Sequence, residues 1–141
     1  MAGIEPLGTV FNILYVADAV YINMKDCAEV TFIGQLDAGD TFTVTEATTL
    51  AGGSAAVLTE VTRYHQAAKA GTGAWATSTQ AAASTVVTSD TKVVAFTVRQ
   101  AELSAGFSYI KCASTSTGTV TAILTGLKTR RAPANLPAVS A

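Results

Sequence analysis

Two stretches of alternating hydrophobic and polar residues, joined by a short Asp/Gly turn, lie between residues 28 and 48 of the chain. In the first stretch Val30 and Phe32 fall on one side, and Thr31, Ile33 and Gln35 fall on the other. In the second stretch Phe42 and Val44 alternate with threonines. A period of two is typical of a half-buried strand, and a glycine in the loop suits a tight turn. The pattern therefore predicts a β-hairpin.

Shorter patterns of the same kind recur along the chain, separated by residues that favour turns. The clearest of them are residues 9–16, 57–66, 91–98, 107–113 and 120–127. The last two flank a short polar loop and predict a second hairpin. Residues 57–66 also fit a helix, but their β-branched content favours a strand.

This succession of strands, without long helices between them, predicts an all-β fold. We expect a single-domain β-sandwich or small β-barrel of about seven to nine short antiparallel strands with extended N- and C-terminal arms. At 141 residues the chain suits one domain. The expected parts are an N-terminal arm over residues 1–8, the β-rich domain over residues 9–127 and an extended tail over residues 128–141.

The composition agrees with a β-rich domain that has few charges. Hydrophobic residues make up 49% of the chain and charged residues 13%, and there are 26 alanines and 22 threonines. The formal net charge of −1 leaves no basic footprint, so we expect no nucleic-acid partner. No apolar stretch approaches the length of a membrane span and the N-terminus lacks a signal-peptide pattern, so we expect no membrane association and synthesis in the cytosol.

Few side chains suggest catalysis or metal binding. His65, the one histidine, could act as a base or metal ligand, but no second histidine or cysteine stands at ligand spacing, so a half-buried strand residue beside Tyr64 is the expected role. Asp37 and Asp40 could suggest a calcium loop, but they lack the further oxygen ligands of an EF-hand and fit turn chemistry better. We therefore expect no catalytic site, no cofactor and no metal.

Three further residues carry structural predictions. Cys27 and Cys112 stand 85 residues apart without a Cys-x-x-Cys pattern, so in a reducing cytosol we expect two buried thiols. Trp75, the one tryptophan, follows a glycine-containing loop. It is expected to anchor its strand on the core, because a tryptophan buries a large apolar area.

The two ends of the chain are the candidate partner-binding segments. Arginine forks pair well with carboxylates, and a proline-stiffened segment loses little entropy when it is laid in a groove. Both features occur in the tail, and the N-terminal arm carries apolar residues with no evident place in the sandwich. The candidate partner-binding residues are Ile4, Leu7, Arg130, Arg131, Pro133, Leu136 and Pro137.

Three short sequence segments, residues 30–32, 41–47 and 131–137, resemble segments of known proteins. Through these segments and its composition, the sequence resembles the small Ala/Thr/Gly-rich virion proteins of tailed bacteriophages that infect high-GC actinobacteria. The resemblance implies a structural protein located in the virion, and we expect a capsid decoration (cement) protein on the outside of the head. Its implied partners are the major capsid protein and further copies of itself, as a homo-oligomer or as neighbours on the particle. No catalytic residue comes with that family.

Two other functions fit the same features. A tail-tube or head-tail connector subunit would assemble into rings through exposed sheet edges. A carbohydrate-binding β-sandwich on the virion surface would need an aromatic platform, for which the sequence offers Trp75 and scattered tyrosines.

Overall fold

The computed structural model describes residues 12–16, 19–37, 39–87, 91–116 and 118–128. Eleven strands lie in these residues, and the described part of the chain contains no α-helix, only a 3₁₀ turn at Gln100–Glu102. The strands are β1 (Asn12–Val16), β2 (Ile22–Asn23), β3 (Glu29–Leu36), β4 (Thr41–Ala47), β5 (Ala56–Val57), β6 (Val61–Ala68), β7 (Ala76–Ala83), β8 (Thr85–Val87), β9 (Lys92–Arg99), β10 (Tyr109–Ser114) and β11 (Thr119–Thr125).

The strands form two antiparallel sheets that enclose one hydrophobic core. The first sheet has the order β1-β11-β3-β9-β6-β7, and the second has the order β2-β10-β4-β5, with β8 also paired to β4. The predicted all-β, sandwich-like fold is thus confirmed. The strands outnumber the predicted seven to nine because the sheets include three very short strands, β2, β5 and β8, of two or three residues each.

The alternating segment of residues 28–48 is not a hairpin, so that prediction is wrong. β3 pairs with β11 and β9, whereas β4 pairs with β10, β5 and β8 in the other sheet. We call such a pair of consecutive strands in opposite sheets an arch. In this first arch the chain crosses between the sheets in a turn that the Asp40 amide closes by donating to the Asp37 carbonyl at 3.0 Å.

The second predicted hairpin is wrong for the same reason. β10 lies in the second sheet and β11 in the first, so the two strands form a second arch. Alternation requires one buried face on each strand, and a hairpin and an arch both meet that requirement. The pattern therefore predicts the strands correctly and leaves their partners undetermined.

The inner faces of β3 and β4 contact each other across the core. Phe32 and Phe42 are each 1% exposed. The Phe42 ring lies directly over Gly34 of β3, where an added Cβ would overlap the ring. Phe32 also packs on Phe96 of β9, with ring centroids 5.6 Å apart. Full burial of a phenylalanine side chain contributes about 1.5–3 kcal/mol. The packing of Phe42 on Gly34, which joins the two sheets, therefore holds the sandwich together.

Candidate binding surface

A hairpin formed by β6 and β7 lies at one end of the first sheet. Its residues are exposed or half-buried on both faces, except Val61 at its base. Residues 69–77, which form the loop and the start of β7, are all exposed. The second sheet therefore does not cover this pair of strands, and we call residues 61–83 the overhanging hairpin.

The sequence explains why this hairpin stays uncovered. Beyond Tyr64, which packs against the core, its strands consist mainly of alanine, threonine, serine and glutamine, which offer little area to bury. Gly71 and Gly73 in the loop adopt positive φ angles of 73° and 93°, which glycine tolerates without strain. The twenty residues from 70 to 89 carry no charge. The result is a thin pair of strands with both faces open, and its two charged residues, Arg63 and Lys69, lie in or next to β6.

Trp75 does not anchor this hairpin on the core, so that prediction is wrong. The side chain lies at the end of the loop, immediately before β7, and 54% of its surface is exposed. No large apolar residue stands between residues 76 and 83, so no second side chain joins the indole in a cluster that could reach the core. Exposed indoles are frequent at protein interfaces, because they combine a large apolar area with one polar donor.

Side-chain hydrogen bonds hold the hairpin in shape. At the base, the Gln80 Nε2 donates to the backbone carbonyls of Val61 at 2.9 Å and Thr85 at 2.8 Å. Further out, the Gln66 Nε2 donates to the Ser78 hydroxyl at 2.9 Å. These bonds cross between strands that the core does not support, so they substitute for part of the missing packing.

A polar cleft opens where β6 separates from β9. The two strands pair only through residues 65–68 and 92–95, and the unpaired part of β6 borders a cleft of about 560 Å³. Two arginines and two glutamates line it, so their formal charges cancel: Arg63, Arg99, Glu60 and Glu102. Glu102 also accepts a hydrogen bond from the Arg99 backbone N–H at 2.8 Å. Because the formal charges of these four side chains cancel, the cleft favours neither a cation nor an anion.

His65 lies at the edge of this cleft and is exposed, not half-buried as expected. Its Nδ1 lies 3.1 Å from the Thr77 hydroxyl, across the β6–β7 pair. Within the described residues no group of three or more histidines, cysteines or acids stands close enough to hold a metal ion. The histidine thus contributes a cross-strand hydrogen bond on the outer surface of the sheet.

Asp40 supports the turn of the first arch. Its buried Oδ1 accepts hydrogen bonds from the Thr41 amide at 2.8 Å, the Thr115 amide at 3.0 Å and the Thr115 hydroxyl at 2.7 Å. Thr115 follows β10, so one carboxylate joins the turns of both arches. Asp37 lies closer to the surface, where its Oδ1 accepts from the Lys69 ammonium at 3.0 Å. The two aspartates hold loops together through hydrogen bonds and an ion pair.

Both cysteines are free and buried, as predicted. Burial raises the pKa of the Cys27 thiol to about 11, with Asp26 acting in the same direction and Lys128 opposing it. A thiol with so high a pKa stays protonated at neutral pH and reacts slowly.

The predicted partner-binding residues in the arm and the tail all lie outside the described residues. Lys128, the first residue of the predicted tail, is described and is fixed to the domain. Its backbone amide donates to the Asp26 carbonyl at 2.8 Å, and its ammonium donates to the Lys25 carbonyl and to Gln100. Lys128 is therefore held against the loop before β3 and against the 3₁₀ turn.

Sequence reasoning missed the overhanging hairpin as a surface. The available signal was the absence of charge from residue 70 to residue 89, together with the isolation of Trp75, which is the one large apolar residue between residues 70 and 85. An uncharged segment of this kind is typical of an interface, where charged residues are depleted.

Comparisons with protein-family models, with curated proteins and with solved structures found no match for this chain. No helix in the described part of the chain is long and apolar enough to cross a membrane.

Proposed function

We propose that the chain is a structural protein of a bacteriophage particle, bound to the outside of the head as a capsid decoration protein. Its partner is the major capsid protein, and it acts by passive binding, without catalysis, cofactor or nucleic acid. The resemblance to actinobacteriophage virion proteins provides the class of function. The observation that supports docking is the loop of the overhanging hairpin, which exposes Trp75 within a segment, residues 70–89, that carries no charge.

The loop has the properties of a binding anchor. Trp75 is one of two large hydrophobic residues that stand exposed in the described part of the chain; the other is Val57, on the short strand β5. Interfaces concentrate their binding energy in a few aromatic side chains that become fully buried. Hydrogen bonds of Gln66 and Gln80 hold the hairpin in one conformation, which lowers the entropy cost of docking.

Cosedimentation of the purified chain with expanded heads of the phage that encodes it tests whether this loop docks on the capsid. Trp75→Ala should weaken binding at least about tenfold, since truncation of an interface hot spot costs about 2 kcal/mol or more. Val57→Ala, at the other exposed apolar position, is the matched control and should bind as the unmodified chain does. Equal binding by all three proteins would remove the loop from the interface.

A second measurement concerns the tail, whose docking role remains a prediction. Deleting residues 129–141 leaves the Lys128 contacts in place, so the melting temperature should change by only a few degrees. If Arg130, Arg131, Pro133, Leu136 and Pro137 contact the capsid, the truncated chain should lose affinity for heads. Undiminished binding would leave the loop as the docking element.

A tail-tube or head-tail connector subunit is the second candidate, because β7 offers a long sheet edge for ring assembly. Electron microscopy of the purified chain separates the two functions. Rings of uniform diameter would favour the tube or connector, and small compact particles would favour decoration.

A further inference from the structure

β7 differs from the other sheet edges in length and in protection. An edge strand exposes unpaired N–H and C=O groups, and natural proteins shield such edges with short strands, lysines, prolines or bulges. In the second sheet the edge strands β2, β5 and β8 have two, two and three residues. β7 has eight residues and contains no charge and no proline. It is the longest edge strand in the described residues.

The pairing of β7 with β6 shows which part of this edge is regular. Residues 76–79 pair in continuous register with residues 63–66, and the register then shifts before Ala83 pairs with Val61. The shift places an irregularity at residues 80–82, which protects that end of the edge. Residues 76–79 keep a regular register and have no strand on their outer side among the described residues, so another strand can align there.

From these features we infer that β7 pairs antiparallel with β7 of a second copy about a two-fold axis, so that the two first sheets become continuous. A two-fold contact needs a surface that complements itself, and a strand edge does so because its donors and acceptors alternate. Like charges usually oppose such self-pairing, and β7 and its flanking residues carry none.

Other edges of this chain fit less well as the partner of β7. β2, β5 and β8 are too short to match four regular residues. β1 has five residues, but its pairing with β7 would be head-to-tail and would build rings or filaments. One strand pair buries less than the roughly 1,200 Å² of a stable interface, so the dimer is weak and depends on protein concentration.

Sedimentation velocity of the full chain tests this pairing over an about hundredfold range of concentration. We expect a monomer-dimer equilibrium. Ala76→Lys places a charge at an exposed position of the regular edge and should raise the dissociation constant about tenfold or more. Ala105→Lys, at an exposed alanine in a loop, is the matched control and should leave the equilibrium unchanged. A chain that stays monomeric throughout, or that forms larger rings, overturns the two-fold pairing.

Disulfide trapping provides a test that does not depend on the lysine variant. Single cysteines replace Ala76, Thr77 or Thr79 in turn, and mild oxidation should trap dimers at one or more of these positions. Thr62→Cys, exposed on β6 one strand inward, should give none. Cys27 and Cys112 are buried and do not compete. Trapping at residue 62 that is as efficient as trapping on β7 would contradict the pairing. Because this experiment contains no capsid, such a result would overturn the dimer without affecting the proposed binding to heads.

Discussion

The first arch and the overhanging hairpin are built from strands of similar length, yet they use them in opposite ways. In β3 and β4 every second residue is buried, because the opposite sheet covers one face of each strand. In β6 and β7 most positions on both faces reach solvent. The arch stabilises the domain through packing, whereas the hairpin depends on hydrogen bonds and leaves its surface free for a partner. The following predictions test this division.

The largest effect is expected at the centre of the arch. Phe42→Ala removes a ring that is 1% exposed and lies over β3, so the free energy of unfolding should fall by about 3–5 kcal/mol. Urea unfolding followed by fluorescence measures this change. A loss below about 1 kcal/mol would mean that the two sheets do not depend on this contact.

A smaller loss is expected from the reverse change on the facing strand. Gly34→Ala adds a Cβ that overlaps the Phe42 ring, and overpacking of this kind should cost about 1–3 kcal/mol. Combining it with Phe42→Leu, which provides room, should destabilise less than the sum of the two single changes. Additive losses in this double-mutant cycle would show that the two residues are not in contact.

These contacts also show what the sequence can and cannot predict. Alternation in residues 28–48 correctly predicts two strands with buried faces, since it depends only on a local period. It cannot predict that Phe42 packs across the core on Gly34, because the choice between hairpin and arch is made by β9, β10 and β11, which come much later in the chain. The sequence wrongly predicts that Trp75 anchors its strand on the core, because tryptophan usually buries its ring and the lack of large apolar residues nearby in the sequence is the one sign against it.

The third prediction concerns Cys27, immediately before the arch. The unfolded thiol has an ordinary pKa of about 9 and the folded one has a pKa of about 11. Between these pH values the unfolded chain gives up a proton that the folded chain keeps. The contribution of Cys27 to the free energy of unfolding is therefore fully present below pH 9 and is lost as the pH rises towards 11. Cys27 should account for a loss of roughly 1 kcal/mol at pH 10.

Urea unfolding at pH 8 and pH 10 measures this loss as a difference between variants. Cys27→Ala should show a smaller decline over this range than the unmodified chain. Cys112→Ala keeps Cys27 and should retain the part of the decline that Cys27 causes. Identical pH dependence in all three proteins would refute the buried-thiol explanation.

The smallest effect on stability is expected at the tip of the hairpin. Trp75→Ala removes an exposed side chain and should change the free energy of unfolding by no more than about 0.5 kcal/mol. Comparison of this variant with Phe42→Ala sets the truncation of an exposed aromatic side chain against that of a buried one. A cost of several kcal/mol would place the indole in the core and remove it as a docking residue.

The arches also determine when the chain can fold. Among the described strands β3 pairs with β9 and β11, which belong to the second half of the sequence, and β4 depends in part on β10. During synthesis β1 and β3 therefore leave the ribosome long before their neighbours exist, whereas the overhanging hairpin and the short β4–β5 pair can form across loops of a few residues. Dominated by such distant pairings, the sandwich should assemble late and slowly, after nearly the whole chain has been made.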